Sequence, residues 1–207
     1  MKTLLIFLQR QCPLIGVSAV IIGIWLCAPD PNRWGLCPLF FHWWQPLTYM
    51  WLQGPWWHLL INLYALWLFA SAMGPVRGWL QTFSIFCLSG LFAAGGIGLA
   101  TLGLQSPHIC AVGASGAILG VMVWSALDKA ELRLIFWFCP QWDFSPLWAL
   151  GLILIIDGIL AWRVELIPVS LAAHAAGSLG GFCGRSLFRC RARGNSINPI
   201  QADQGRI

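Results

Sequence analysis

Residues 168–188 run Pro-Val-Ser-Leu-Ala-Ala-His-Ala-Ala-Gly-Ser-Leu-Gly-Gly-Phe-Cys-Gly-Arg-Ser-Leu-Phe, a stretch apolar and long enough to be a membrane-spanning helix. On a helix His174, Gly177 and Gly181 stand at i, i+3 and i+7 and share one face. The two glycines let a second helix approach the side that carries the histidine. An ionisable group in lipid is expensive, so His174 is a functional candidate by default. The plainer alternative is a histidine satisfied by a neighbouring helix.

The rest of the chain agrees that its solvent is lipid. Of 207 residues, 58% are apolar and 9% charged, against about a quarter charged in an ordinary soluble domain. The 14 tryptophans suit the membrane–water boundary, where an indole keeps one edge dry and one wet. Six stretches are predicted to span: 13–28, 57–73, 79–102, 113–127, 146–162 and 168–188. Pro29-Asp30-Pro31, Gly74-Pro75, Ser106-Pro107, Pro140 and Pro168 mark their ends, since proline and glycine are unfavourable inside a helix. The expected organisation is a cytoplasmic N-terminus over 1–12, a six-span domain over 13–188, and a basic, unstructured cytoplasmic tail over 189–207. Met1 to Leu8 faintly imitates a signal peptide, but Gln9, Arg10 and Gln11 interrupt it, so the N-terminus is expected to be retained.

Lys and Arg accumulate on the cytoplasmic side of membrane proteins. With the N-terminus inside, Lys2, Arg10, Arg77, Lys129, Arg133, Arg185, Arg189, Arg191, Arg193 and Arg206 fall inside and only Arg33 and Arg163 fall outside. Both termini are therefore expected to be cytoplasmic, with 29–56, 103–112 and 163–167 on the outer face. The net charge of +5 thus reports topology, and no nucleic-acid partner is inferred. Arg33 to Trp57 holds Trp34, Trp43, Trp44, Trp51, Trp56 and Trp57, a composition expected to lie in the interface. The eight cysteines have no metal-type spacing. Cys27, Cys37 and Cys110 all map near the outer face, where an oxidising compartment would permit one disulfide among them.

The polar groups within the spans that stand as functional candidates are His58, Asn62, Ser115, Asp157, His174 and Ser178. Ser115 sits in Gly113-Ala-Ser-Gly116 at the start of the fourth stretch. Taken alone this is helix packing, because Gly116 and Gly120 already make a small-residue seam. A Ser–His pair, however, is the minimum for an activated oxygen nucleophile, and an imidazole titrates in the right range to serve as base. His58 and Asn62 stand at i, i+4 on one helix face. With the Ser115 backbone N–H, they would supply an oxyanion hole, although taken alone they too are a packing contact. All four residues come from three separate spans yet map to one depth near the outer face. There is no HExxH for a metalloprotease and no phosphate-cradling glycine loop for a nucleotide. No cofactor or metal is expected. A transporter would show internal repeats and a charged pathway, and neither is present.

Three motifs here resemble those of the rhomboid family of intramembrane serine proteases: His58-Leu-Leu-Ile-Asn62 matches HxxxN, Gly113-Ala-Ser-Gly116 matches GxSG, and His174-Ala-Ala-Gly177 with Gly181 matches HxxGxxxG. They fall in family order, and the resemblance covers about residues 13–188. It implies an all-α bundle of six transmembrane helices with a short, partly sunken fourth helix below a water-filled cavity, as in compact bacterial members. It implies Ser115 as nucleophile, His174 as general base and acid, and His58, Asn62 and the Ser115 amide as oxyanion hole. It further implies single-span membrane proteins as substrates and a bacterial inner membrane as location. A catalytically silent relative that binds membrane helices is the alternative, against which the intact Ser115 and His174 argue. Three features depart from the family pattern. Gly74-Pro75-Val76-Arg77 replaces an acidic residue after span 2, the first loop lacks a Trp-Arg pair, and Leu119 stands where an aromatic residue often packs on the histidine. Asp157 invites a triad reading, but nothing in the sequence aligns it with His174 and the family works with a dyad, so it is expected to meet a partner near the outer end of its own span or to be held neutral by burial. His42 and His108 are expected to be interfacial, with no role assigned.

Overall fold

The computed structural model describes residues 2–103, 109–129, 134–136, 139–161 and 167–196. Its elements in order are α1 (Lys2–Cys27), α2 (Pro31–Trp34), α3 (Gln45–Thr48), a 3-10 turn (Tyr49–Trp51), α4 (Trp56–Arg77), α5 (Trp79–Gly103), α6 (Ser115–Asp128), β1 (Leu134–Phe136), β2 (Cys139–Phe144), α7 (Pro146–Ala161) and α8 (Ile167–Ser196). Each predicted stretch contains a helix, but several bounds move. α1 begins at Lys2, so Pro13 lies inside it and residues 2–12 belong to the first helix instead of preceding it. Gly74-Pro75 does not end α4, which runs on to Arg77 and stops at Gly78, whose φ of 87° favours glycine. α8 continues through the basic residues to Ser196, past position 189 where composition predicts a tail. Between α6 and α7, β1 and β2 pair antiparallel, Leu134 with Phe144 and Ile135 with Asp143, with an irregularity before Phe136. Pro140 therefore lies in a strand and is not a span boundary.

α6 is the axis of the bundle. Gly116 through Ala126 are all buried, and α4, α5, α7 and α8 pack around it. At 14 residues it is about 21 Å long. Trp124, Ile118 and Met122 on α6 meet a core that includes Met73, Ile85 and Ile97. Small residues set the approach: a Cβ on Gly116 would fall 2.6 Å from Ala93 Cβ and 3.0 Å from Ala173 O, and one on Gly120 would fall 2.7 Å from Gly177 O. The outward faces are apolar, as with Trp148, Leu152 and Ile159 on α7 and Leu80 and Leu99 on α5, which is the surface a lipid environment requires. The helices Trp56–Gly74 and Trp79–Gly103 are each long and apolar enough to cross a membrane.

The tryptophan-rich segment is built, not loose. Gln45, fully buried, accepts at Oε1 from the Cys37 and His42 amides and donates through Nε2 to the carbonyls of Asn32 and Phe40. Tyr49 donates its hydroxyl to Gly90 O on α5 at 2.7 Å, and burial pushes that phenol above its ordinary range. The Trp25 indole of α1 donates to Gly54 O at 2.9 Å. Of the three outer cysteines, Cys37 and Cys110 form the disulfide and Cys27 stays free. Leu36 and Ala111 exchange backbone hydrogen bonds beside that disulfide.

Candidate functional site

Gly113 is where the site begins. Its φ of 131° is costly for any residue with a side chain. A Cβ there would also fall 3.0 Å from His58 Cε1 and 4.0 Å from Ser115 Oγ. Gly113 therefore lines the site between His58 and Ser115. Its amide donates to Tyr49 O at 3.1 Å, which ties this turn to the loop before α4. Ser115 follows as the first residue of α6.

Ser115 Oγ lies 2.9 Å from His174 Nε2, although 59 residues separate them in the chain. α8 reaches α6 at the Gly177–Gly116 and Gly181–Gly120 crossings, one turn and two turns beyond the histidine. Ser178 donates its hydroxyl to His174 O at 2.7 Å, so it braces the helix backbone. Leu119 is buried in the core cluster.

The other face of His174 corrects an expectation. Nδ1 is 2.5 Å from Asp157 Oδ2 on α7, so the partner that Asp157 meets near the end of its span is His174 itself, a pairing for which the sequence offers no ground. Both side chains are largely buried, at 13% and 16% exposure. Asp157 is conspicuous in the sequence as a carboxylate in an apolar stretch, but contact between two helices leaves no periodic trace from which the pairing could be read.

On α4, Asn62 Nδ2 donates to Gln53 Oε1 at 2.7 Å and lies 3.3 Å from His58 Nε2. The Gly54 amide donates to His58 Nδ1 at 3.4 Å. His58 faces Ser115 across Gly113, while the Asn62 amide is turned toward Gln53 and His58. Gln53 escapes sequence reasoning, since nothing in its spacing from His58 singles it out; its Nε2 is buried, with no hydrogen-bond partner among the described residues. His42 is exposed, bonded to Phe40 O and stacked on Trp44. His108 lies outside the described residues.

Residues 41–189 match the family pattern described as the Rhomboid domain. The chain belongs to the rhomboid family. The presenilin-associated rhomboid-like protein, mitochondrial, of Homo sapiens is 30% identical over 129 residues, covering 60% of this chain and 32% of that protein. The protein of the same name from Pongo abelii gives equal figures. The RHOMBOID-like protein 6, mitochondrial, of Arabidopsis thaliana is 32% identical over 143 residues, covering 68% of this chain and 42% of that protein. This rhomboid therefore spans about a third to two-fifths of the length of these curated relatives. No solved structure matches significantly. As a rhomboid the protein is membrane-embedded, and the mitochondrial names of its relatives lend no support to the bacterial inner membrane expected above.

Proposed function

We propose that this rhomboid is an intramembrane serine endopeptidase that cuts other membrane proteins with Ser115 as nucleophile and His174 as general base and acid. The observation that carries the reading is the 2.9 Å contact between Ser115 Oγ and His174 Nε2 among buried helices. In this reading α1, α4, α5, α6, α7 and α8 are six spans. α6, at about 21 Å, falls short of a hydrocarbon core of about 30 Å, so its N-terminal end with Ser115 sits below the surface, where water reaches from the disulfide side. Arg77, Arg185 and Arg189 gather at the opposite end on Asp128. That end is the cytoplasmic one by the distribution of positive charge, and both termini share it. Substrates are single-span membrane proteins, and no metal or cofactor takes part.

Ser115 Oγ attacks the scissile carbonyl carbon as His174 Nε2 takes its proton, and the carbonyl becomes an oxyanion. His58 and the Ser115 amide flank that oxygen, and Asn62 joins them once its amide turns from Gln53. His174 then delivers the proton to the leaving amine. Water, deprotonated by His174, cleaves the acyl-enzyme, and the proton returns to Ser115. The test is labelling of the detergent-purified chain with a fluorophosphonate probe. Labelling of wild type that vanishes in Ser115→Ala and His174→Ala supports an activated serine. No labelling of folded wild type overturns the reading in favour of a silent membrane-helix binder.

A further inference from the structure

We infer that Asp157 is a positioning residue for His174, so that the reactive unit is a chain of three side chains drawn from α6, α8 and α7. The inference deepens the proteolytic reading above and rests on it for its catalytic meaning, though not for its structural one.

A carboxylate in α7 has a poor setting. Its neighbours are Ile155, Ile156, Gly158 and Ile159, and a charge among such residues is costly unless paired and hydrogen-bonded. Among the described residues its one hydrogen-bond partner is His174 Nδ1. Among those residues no Lys or Arg neutralises it, so the pair has not formed to satisfy a cation. The partner is the same imidazole whose Nε2 faces Ser115 Oγ.

That geometry selects a tautomer. A neutral imidazole carries one proton, and it can accept from the serine hydroxyl at Nε2 only when the proton is on Nδ1. Asp157 Oδ2 accepts from Nδ1–H and holds the proton there. When Nε2 takes the Ser115 proton the ring becomes a cation, and the carboxylate beside it stabilises that cation without itself being protonated. Leu119, one turn along α6 from the nucleophile, has an apolar side chain and offers no hydrogen bond that could substitute. Among the described residues the ionisable groups facing His174 are Asp157 from α7 and His58 from α4; α5, which packs along α8, contributes none but Cys87.

The experiment uses the full chain in detergent with Asp157→Asn, Asp157→Ala and Asp157→Glu. Asn is nearly isosteric but presents an N–H where the acceptor was, which favours the wrong tautomer. The maximal labelling rate by fluorophosphonate should fall about 100- to 10,000-fold in Asp157→Asn, with apparent probe affinity changed about threefold or less. Glu should restore part of it. Nitrogen-15 NMR of histidine-labelled protein, assigned with His174→Ala, should find His174 protonated at Nδ1 in wild type and shifted from that tautomer in Asp157→Asn.

A labelling rate in Asp157→Asn equal to that of wild type, with the tautomer unmoved, overturns the inference. So does a loss that tracks only the folded fraction, which is all that docking α7 onto α8 would predict. An Asp157-dependent tautomer in a wild type that never labels would sink the proteolytic reading and leave the positioning contact standing. Where Asp157→Ala does not fold, the isosteric Asn variant decides between the same outcomes.

Discussion

A Cβ built on Gly177 would fall 2.6 Å from the carbonyl carbon of Gly116, so the two helices that carry His174 and Ser115 touch backbone to backbone. The obstacle is main chain and cannot rotate away. Gly177→Ala should therefore push α8 off α6, with an overpacking penalty of about 1–3 kcal/mol. A displacement near 1 Å at a reacting pair can cost about 100-fold, so fluorophosphonate labelling per folded molecule should fall by at least about tenfold. Gly95→Ala is the control: nothing lies within 4 Å of its missing Cβ, and both melting temperature and labelling should hold.

The oxyanion side divides differently. His58→Ala and Asn62→Ala each remove one donor and should cost about 100- to 1,000-fold in turnover while the serine remains labelled slowly. Gln53→Ala strips the Asn62 amide of its acceptor and should destabilise the fold by about 1–3 kcal/mol, with a smaller effect on rate. Turnover measured on active-site-titrated enzyme separates these. Equal and total loss in all three would mean that the segment has collapsed and that no oxyanion role can be assigned.

What the sequence discloses follows from how each feature is encoded. Ser115, His174, His58 and Asn62 stand out because a polar group in an apolar run is conspicuous, and because i, i+3 and i+4 spacings survive as text. Gly116, Gly120, Gly177 and Gly181 are legible for the same reason. Asp157 is conspicuous too, but its partner lies across a helix interface, and such a pairing has no period. Depth narrows the disulfide to three cysteines, whereas choosing Cys37 and Cys110 requires the Leu36–Ala111 bridge that aligns them. The extension of α8 to Ser196 is hidden because its arginines read as a polar tail, although they continue the helix.

The Cys37–Cys110 disulfide closes a loop across 73 positions and pins the Trp-rich segment to the residues just ahead of Gly113. Cys110→Ser should cost about 2–4 kcal/mol by freeing that loop in the unfolded state. It should also broaden labelling kinetics as the Gly113 turn loosens. Thermal unfolding with and without reductant checks this: wild type should fall to the variant's melting temperature on reduction, and the variant should not respond. A wild type indifferent to reductant would show that the bridge is absent or idle.

Asp128 carries the last prediction. It ends α6, where an anion opposes the helix dipole, and its side chain is only 3% exposed. Arg77 from α4 and Arg185 and Arg189 from α8 all bond it, at 3.0, 2.9 and 3.3 Å, and Arg185 also donates to Leu127 O, an end carbonyl of α6. One carboxylate thus gathers three guanidinium groups from two helices around the end of a third. Asp128→Asn would leave those cations facing each other with nothing between, and removing one partner of a buried ionic group typically costs about 3–5 kcal/mol. Arg189→Gln, more than half exposed at 53%, should cost about 1 kcal/mol or less. Because Asp128 stands 13 residues along α6 from Ser115, about 20 Å away, the Asn variant should lose melting temperature but keep its labelling rate per folded molecule. A fall in that rate with stability intact would instead mean that the charge cluster sets the position of α6, and with it Ser115.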